Sequence, residues 1–132
     1  MTTGIENPKI VLENYPRGNK FLTSAIYNSP PMLVRAWFEE HGVPLKCEKD
    51  MRVFPVSNNG QDVVKVFEKI FEKNNTKLLF EHTVKKIEKK QKGFLINFND
   101  RPALTVDKVV LAVGGQAYRL TGSSGDGYTL AE

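Results

Sequence analysis

Five of the ten glycines in this 132-residue chain fall between Gly114 and Gly127, directly after the apolar run Val109-Val110-Leu111-Ala112-Val113. Glycines between a strand and a helix have a physical use. Without Cβ atoms the backbone approaches a ligand closely, and the free N–H groups of a first helical turn point at electron-rich atoms. In an open α/β sheet, ligands sit at the carboxyl ends of the strands. A glycine-rich turn with no ligand is the plain alternative for any one pair. Two clusters flanking a single loop favour a ligand. Asp126 or Ser124 would cap the helix that closes the loop, and a capping carboxylate is still free to touch a ligand.

Other residues capable of chemistry are more ambiguous. Arg52 precedes the apolar turn Val53-Phe54-Pro55. Its rigid donor fork suits a substrate carboxylate or a flavin oxygen, and equally an ion pair with Glu48 or Asp50. His41 stands before Gly42 at a helix end, where its charge would serve the dipole before it served catalysis. His82 has no evident partner. Cys47 sits between Lys46 and Glu48 without the helix N-terminus or histidine that activates a thiol, so it reads as structural or incidental. Cys47, His41 and His82 do not have metal-ligand spacing, and no serine stands in a nucleophile elbow. The lysine run from Lys85 to Lys92 lacks the interleaved aromatics of a nucleic-acid surface and reads as a solvated hairpin tip.

Charge and composition narrow the class. Lysine and arginine exceed aspartate and glutamate by 19 − 15 = +4, and hydrophobic residues make up 40% of the chain. That excess raises nucleic acid as a partner without requiring it. No apolar run approaches the roughly 20 residues of a membrane span, and a membrane partner is not expected. The single cysteine excludes an internal disulfide and suits a reducing compartment, taken as cytoplasmic.

The elements that must position these residues are an α/β mixture. Helices are expected at Glu6–Tyr15, at Lys20–Tyr27 and after Ser29, where Leu33, Val34, Trp37 and Phe38 recur at helical spacing. Short extended segments follow at Val43–Cys47 and Arg52–Val56. Ser57 is expected to cap a central helix near Gly60–Lys73, with Val63, Val64, Phe67, Ile70 and Phe71 as its apolar stripe. Leu78–Phe80 reads as a short apolar segment. An antiparallel meander then runs through Thr83–Glu88, Phe94–Phe98 and Leu104–Val106, with Phe94, Ile96 and Phe98 alternating. The unbroken apolar run Val109–Val113 predicts a strand buried on both faces, as in a parallel sheet.

Several blocks resemble one family of bacterial FAD-dependent oxidoreductases, the aminoacetone-oxidase-like and 3-dehydro-bile-acid-reductase-like two-dinucleotide-fold flavoproteins. Val109 to Gly115 resembles its VVLATGG strand, and Thr121-Gly122-Ser123-Ser124-Gly125-Asp126-Gly127-Tyr128 resembles its TGSTGDGY segment. Upstream, Lys20 to Ala25 is similar to KFLxSAL, Phe38 to Lys46 to FFExxGVxLK, and Arg52 to Ser57 with Asp62-Val63-Val64 to RVFPxSxxAxDVV. Val113 replaces the threonine of ATGG, Met51 the glycine before RVFP, and Ser124 the second threonine of TGSTGDGY.

The resemblance implies a partial FAD/NAD(P)-binding Rossmann-like domain spanning 1–132. Its parts would be a helical and short-strand portion, 1–57, and a portion 58–132 with the central helix, meander, strand and glycine loop. It implies that Ala112, Gly114 and Gly115 bring backbone close to FAD. Ser124, Gly125, Asp126 and Gly127 would place amides and a carboxylate along the cofactor, and Val84 would offer main-chain groups to the adenine, with a plain core role as its alternative. Hydride would pass between FAD and a small substrate or NAD(P)H. The G-x-G-x-x-G motif that holds the FAD pyrophosphate in such proteins is absent from these residues. The chain is therefore expected to be an internal piece, inactive alone and holding FAD loosely, which missing flavoprotein segments or a complementing chain would complete. A small basic nucleic-acid module and a non-catalytic remnant are the alternatives.

Overall fold

A computed structural model describes residues 1–122 and 124–131, so Ser123 of the glycine loop and Glu132 lie outside the described residues. The chain divides into two compact units, Met1–Lys77 and Leu78–Glu132. Together they form a mixed α/β chain with two small antiparallel sheets.

In the first unit, strand β1 (Thr2–Thr3) precedes helices α1 (Pro8–Glu13), α2 (Asn19–Asn28) and α3 (Pro31–Glu40). Asn7 caps α1, its side chain accepting from the Lys9 amide at 3.0 Å. Pro30, not Ser29, holds the cap position of α3, and Pro31 follows at the first helical position. A proline there gives up only an N–H that would have no helical partner. Strands β2 (Leu45–Cys47) and β3 (Arg52–Pro55) complete a sheet of order β1-β3-β2, with Leu45 opposite Pro55 and Cys47 opposite Val53. Its two-residue edge strand, β1, has no alternation in the sequence to announce it.

Helix α4 (Gln61–Lys73) belongs to this first unit. Ser57 does not cap it. Gly60 occupies the cap position, while the Ser57 hydroxyl donates to Asp62 at 2.6 Å and Asn59 accepts from the Gln61 amide at 3.0 Å. The core joins Phe38 of α3, Val43 and Val66 of α4, with Val34, Trp37, Leu45, Val63 and Ile70 packed around them. Val53, at the centre of the sheet, is fully buried.

The second unit is a meander, β4 (Val84–Lys89), β5 (Phe94–Phe98) and β6 (Leu104–Val106), followed by a 3-10 turn at Arg119–Thr121 and helix α5 (Asp126–Leu130). The strands pair antiparallel in the order β4-β5-β6. The expected alternation in β5 does not become a wet and a dry face, since all five of its residues are half-buried.

Two expected apolar segments form no strand. Leu78–Phe80 is irregular, with Phe80 75% exposed. The strand expected at Val109–Val113 is likewise corrected: the run lies beyond β6 with no ladder partner among the described residues, and Val110 is 88% exposed. An apolar run becomes a doubly buried strand only where neighbouring strands accept its backbone bonds and helices cover its faces, and the sheets described here offer neither. No helix among the described residues is long and apolar enough to cross a membrane.

Candidate functional site

The second unit gathers most of the residues singled out from sequence. Gly114 and Gly125 hold left-handed backbone, at φ 74° and 89°, which glycine adopts without strain. Gly125 is also the cap residue of α5, so neither Ser124 nor Asp126 caps that helix through its side chain. The two glycine clusters meet. A Cβ on Gly125 would collide with the Gln116 side chain, one on Gly127 would lie 2.7 Å from Val113 Cγ2, and one on Gly115 would touch the Tyr128 hydroxyl at 3.7 Å. At Gly125 and Gly127 a close approach leaves no room for a Cβ, and the approaching atoms belong to the chain's own loop, whereas the contact at Gly115 is an ordinary one.

Helix α5 packs against β4. Between them lies a pocket of about 180 Å³ lined by Val84, Lys85, Asp126, Thr129 and Leu130. Val84 and Asp126, both singled out from sequence, therefore share one site. Ala112 and Ser124 are exposed in the adjoining loop and do not line the pocket. Lys85, Thr129 and Leu130 were not anticipated. Lys85 was hidden in a lysine-rich run, and only the strand register separates it from its neighbours.

That register shifts between Val84, opposite Phe98, and Lys86, opposite Asn97, which leaves Lys85 as the extra residue of a β-bulge. Bulges re-aim a side chain and interrupt pairing. Further along β4, Glu88 receives Lys90 at 2.7 Å and Lys86 at 3.3 Å. Those lysines, Lys90 first, hold the Glu88 carboxyl below its ordinary range. Two of the run's lysines thereby share one carboxylate within the hairpin.

The pocket lining combines apolar and charged residues. Val84 and Leu130 contribute apolar side chains, Asp126 an acceptor carboxylate, and Lys85 and Thr129 donors. Pockets that enclose a whole small-molecule ligand run to about 300–1,000 Å³, so this one is smaller than such a site.

Arg52 lies in the first unit. Its Nε donates to Asp50 at 2.6 Å and its terminal nitrogen to Glu48 at 3.4 Å, while the guanidinium sits 5.4 Å from the centre of the Phe54 ring. Both carboxylates weighed as ion-pair partners are engaged. The Arg52 backbone amide, and then its side chain, hold the Asp50 carboxyl below its ordinary range. Arg52 also lines an open cavity of about 540 Å³ with Glu48, Phe54, Pro55, Asn58 and Val63. His41 ends α3, where its Nδ1 donates to the Trp37 carbonyl at 2.6 Å and its ring stacks on Trp37 at 4.1 Å. Cys47 is a free, exposed thiol. No group of three or more potential metal ligands is found among the described residues.

The described residues form a mixed α/β chain with two antiparallel sheets, and the family model is what assigns it to the Rossmann class. The family model of the HI0933-like protein Rossmann domain matches residues 1–132, and the chain belongs to that FAD-binding flavoprotein family.

Proposed function

We propose that the chain is a cofactor-holding part of an FAD-dependent oxidoreductase of the aminoacetone-oxidase-like kind, and that the β4–α5 pocket with the glycine loop is where it meets FAD. The observation that carries this reading is the convergence of Val84 and Asp126 on one pocket. In the complete enzyme the flavin would exchange hydride with a small substrate or NAD(P)H, the protein supplying orientation and electrostatics. Val84 would offer main-chain groups to the adenine and Asp126 would accept from a cofactor hydroxyl. Ala112, Gly114, Gly115, Ser124, Gly125 and Gly127 would shape the backbone beside it. Arg52, with its cavity, is the candidate contact for a substrate carboxylate or flavin oxygen. The free thiol of Cys47 suits a reducing compartment.

Titration of the chain with FAD, followed by flavin fluorescence, tests the reading. Because the pocket holds only a portion of the ligand, saturable binding is expected with Kd between roughly 10 μM and 1 mM. Loss of one charge-assisted hydrogen bond in Asp126→Ala should weaken it about tenfold. Absence of saturation, or an affinity indifferent to Asp126→Ala, would count against the assignment.

A further inference from the structure

Of the residues lining the β4–α5 pocket, Lys85 is the one whose position the strand pattern does not require. Its neighbours on β4 follow the ladder, with Val84 opposite Phe98 and Lys86 opposite Asn97. Lys85 sits in the interruption, where a bulge re-aims its side chain. Regular alternation from Val84 to Lys89 would have dictated the face of every residue in β4. The extra residue frees this one from that constraint, and its side chain lines the pocket.

Its charge is also available. Glu88 is shared by Lys86 and Lys90, whereas among the described residues neither Lys85 nor Asp126 takes part in an ion pair. An ammonium and a carboxylate thus line one small pocket without neutralising each other, alongside the Thr129 hydroxyl and the apolar side chains of Val84 and Leu130. A purely anionic ligand would be repelled by Asp126, and a purely apolar one would strand both charges. A phosphorylated nucleoside satisfies every group. Its ring lies on Val84 and Leu130, its sugar hydroxyl donates to Asp126, and its phosphate accepts from Lys85.

We propose that Lys85, aimed by the β4 bulge, is the phosphate-reading residue of this pocket and makes it select nucleotides over nucleosides. The inference rests on the FAD-binding reading and adds a specificity determinant to it. A lysine provides a compact point charge on a flexible stem, which suits the phosphate of a ligand whose other end is fixed by a ring and a hydroxyl.

The test is an amide-resolved NMR titration of the full chain with adenosine, ADP and inorganic phosphate as separate probes. ADP should shift the amides of Val84, Lys85, Asp126 and Thr129 with an affinity about tenfold above that of adenosine. Inorganic phosphate should bind weaker than either. In Lys85→Ala the advantage of ADP over adenosine should vanish, in Lys85→Arg it should persist, and in Lys86→Ala it should be unchanged. The dispersion of each spectrum reports whether the variant is folded. Equal affinities for ADP and adenosine in the unaltered chain, or a preference that survives Lys85→Ala, would overturn the assignment of Lys85 while leaving the flavin reading intact. Inorganic phosphate binding as tightly as ADP would overturn the nucleotide assignment. Silence of these amides toward all three probes and toward FAD would overturn both readings together.

Discussion

Gly42 and Gly93 both hold left-handed backbone, at φ 82° and 74°, yet their surroundings differ. A Cβ on Gly42 would meet nothing within 4 Å, whereas one on Gly93 would run into the backbone carbonyl of Val106. Gly42→Ala should cost only the conformational penalty, about 1 kcal/mol. Gly93→Ala adds a collision that no side-chain rotation relieves and should cost more than about 2 kcal/mol. Urea unfolding of the two variants measures the difference, and equal losses would refute the role of the β5–β6 backbone. Sequence alone could not rank the two, because the Val106 carbonyl that decides the rank is distant from Gly93 in the chain. The same limit applies in the candidate site. Asp126 and Val84 could be picked out through their motif and strand. Lys85 could not, since a bulge is a property of register between two strands and leaves no mark on one of them.

Helix α4 shows how far periodicity reaches. Its apolar residues occupy a wide arc, and the stripe expected from sequence, Val63, Val64, Phe67, Ile70 and Phe71, lies within it. The buried member is nevertheless Val66, while Val64 and Phe67 are 44% and 40% exposed. Periodicity defines the arc; the position of α3 and β2 decides which side of it faces the core. Val66→Ala should therefore destabilise the chain by about 2 kcal/mol through lost burial and the cavity left behind. Val64→Ala should cost well under 1 kcal/mol on the same measurement. The reverse order would mean that α4 is rotated about its axis. Val109–Val113 failed as a strand for a related reason. Its composition reports suitability for burial between parallel neighbours, and the described sheets are antiparallel and supply none.

The two units differ in how deeply they bury apolar side chains. Val11, Phe38, Val43, Val53 and Val66 form the buried set, and all belong to Met1–Lys77. Among the described residues, the meander unit buries no apolar side chain: those of β5 are half-buried, Phe80 and Val110 are exposed, and Gly125 is its buried position. Local opening free energy follows buried contacts, so hydrogen exchange should be slower at β3 and α3 than at β4–β6. Comparable protection in both sheets would contradict that ranking. This thin packing surrounds the candidate site, where a glycine loop folds on itself and one small pocket joins a strand to a helix. The most direct test of the central claim is an amide-by-amide NMR titration with FAD. Shifts confined to 84–85, 112–116 and 124–130, saturating together, are the result expected of a cofactor held between β4, α5 and the glycine loop. Shifts centred instead on Arg52 and Phe54, or none at any of these positions, would contradict it.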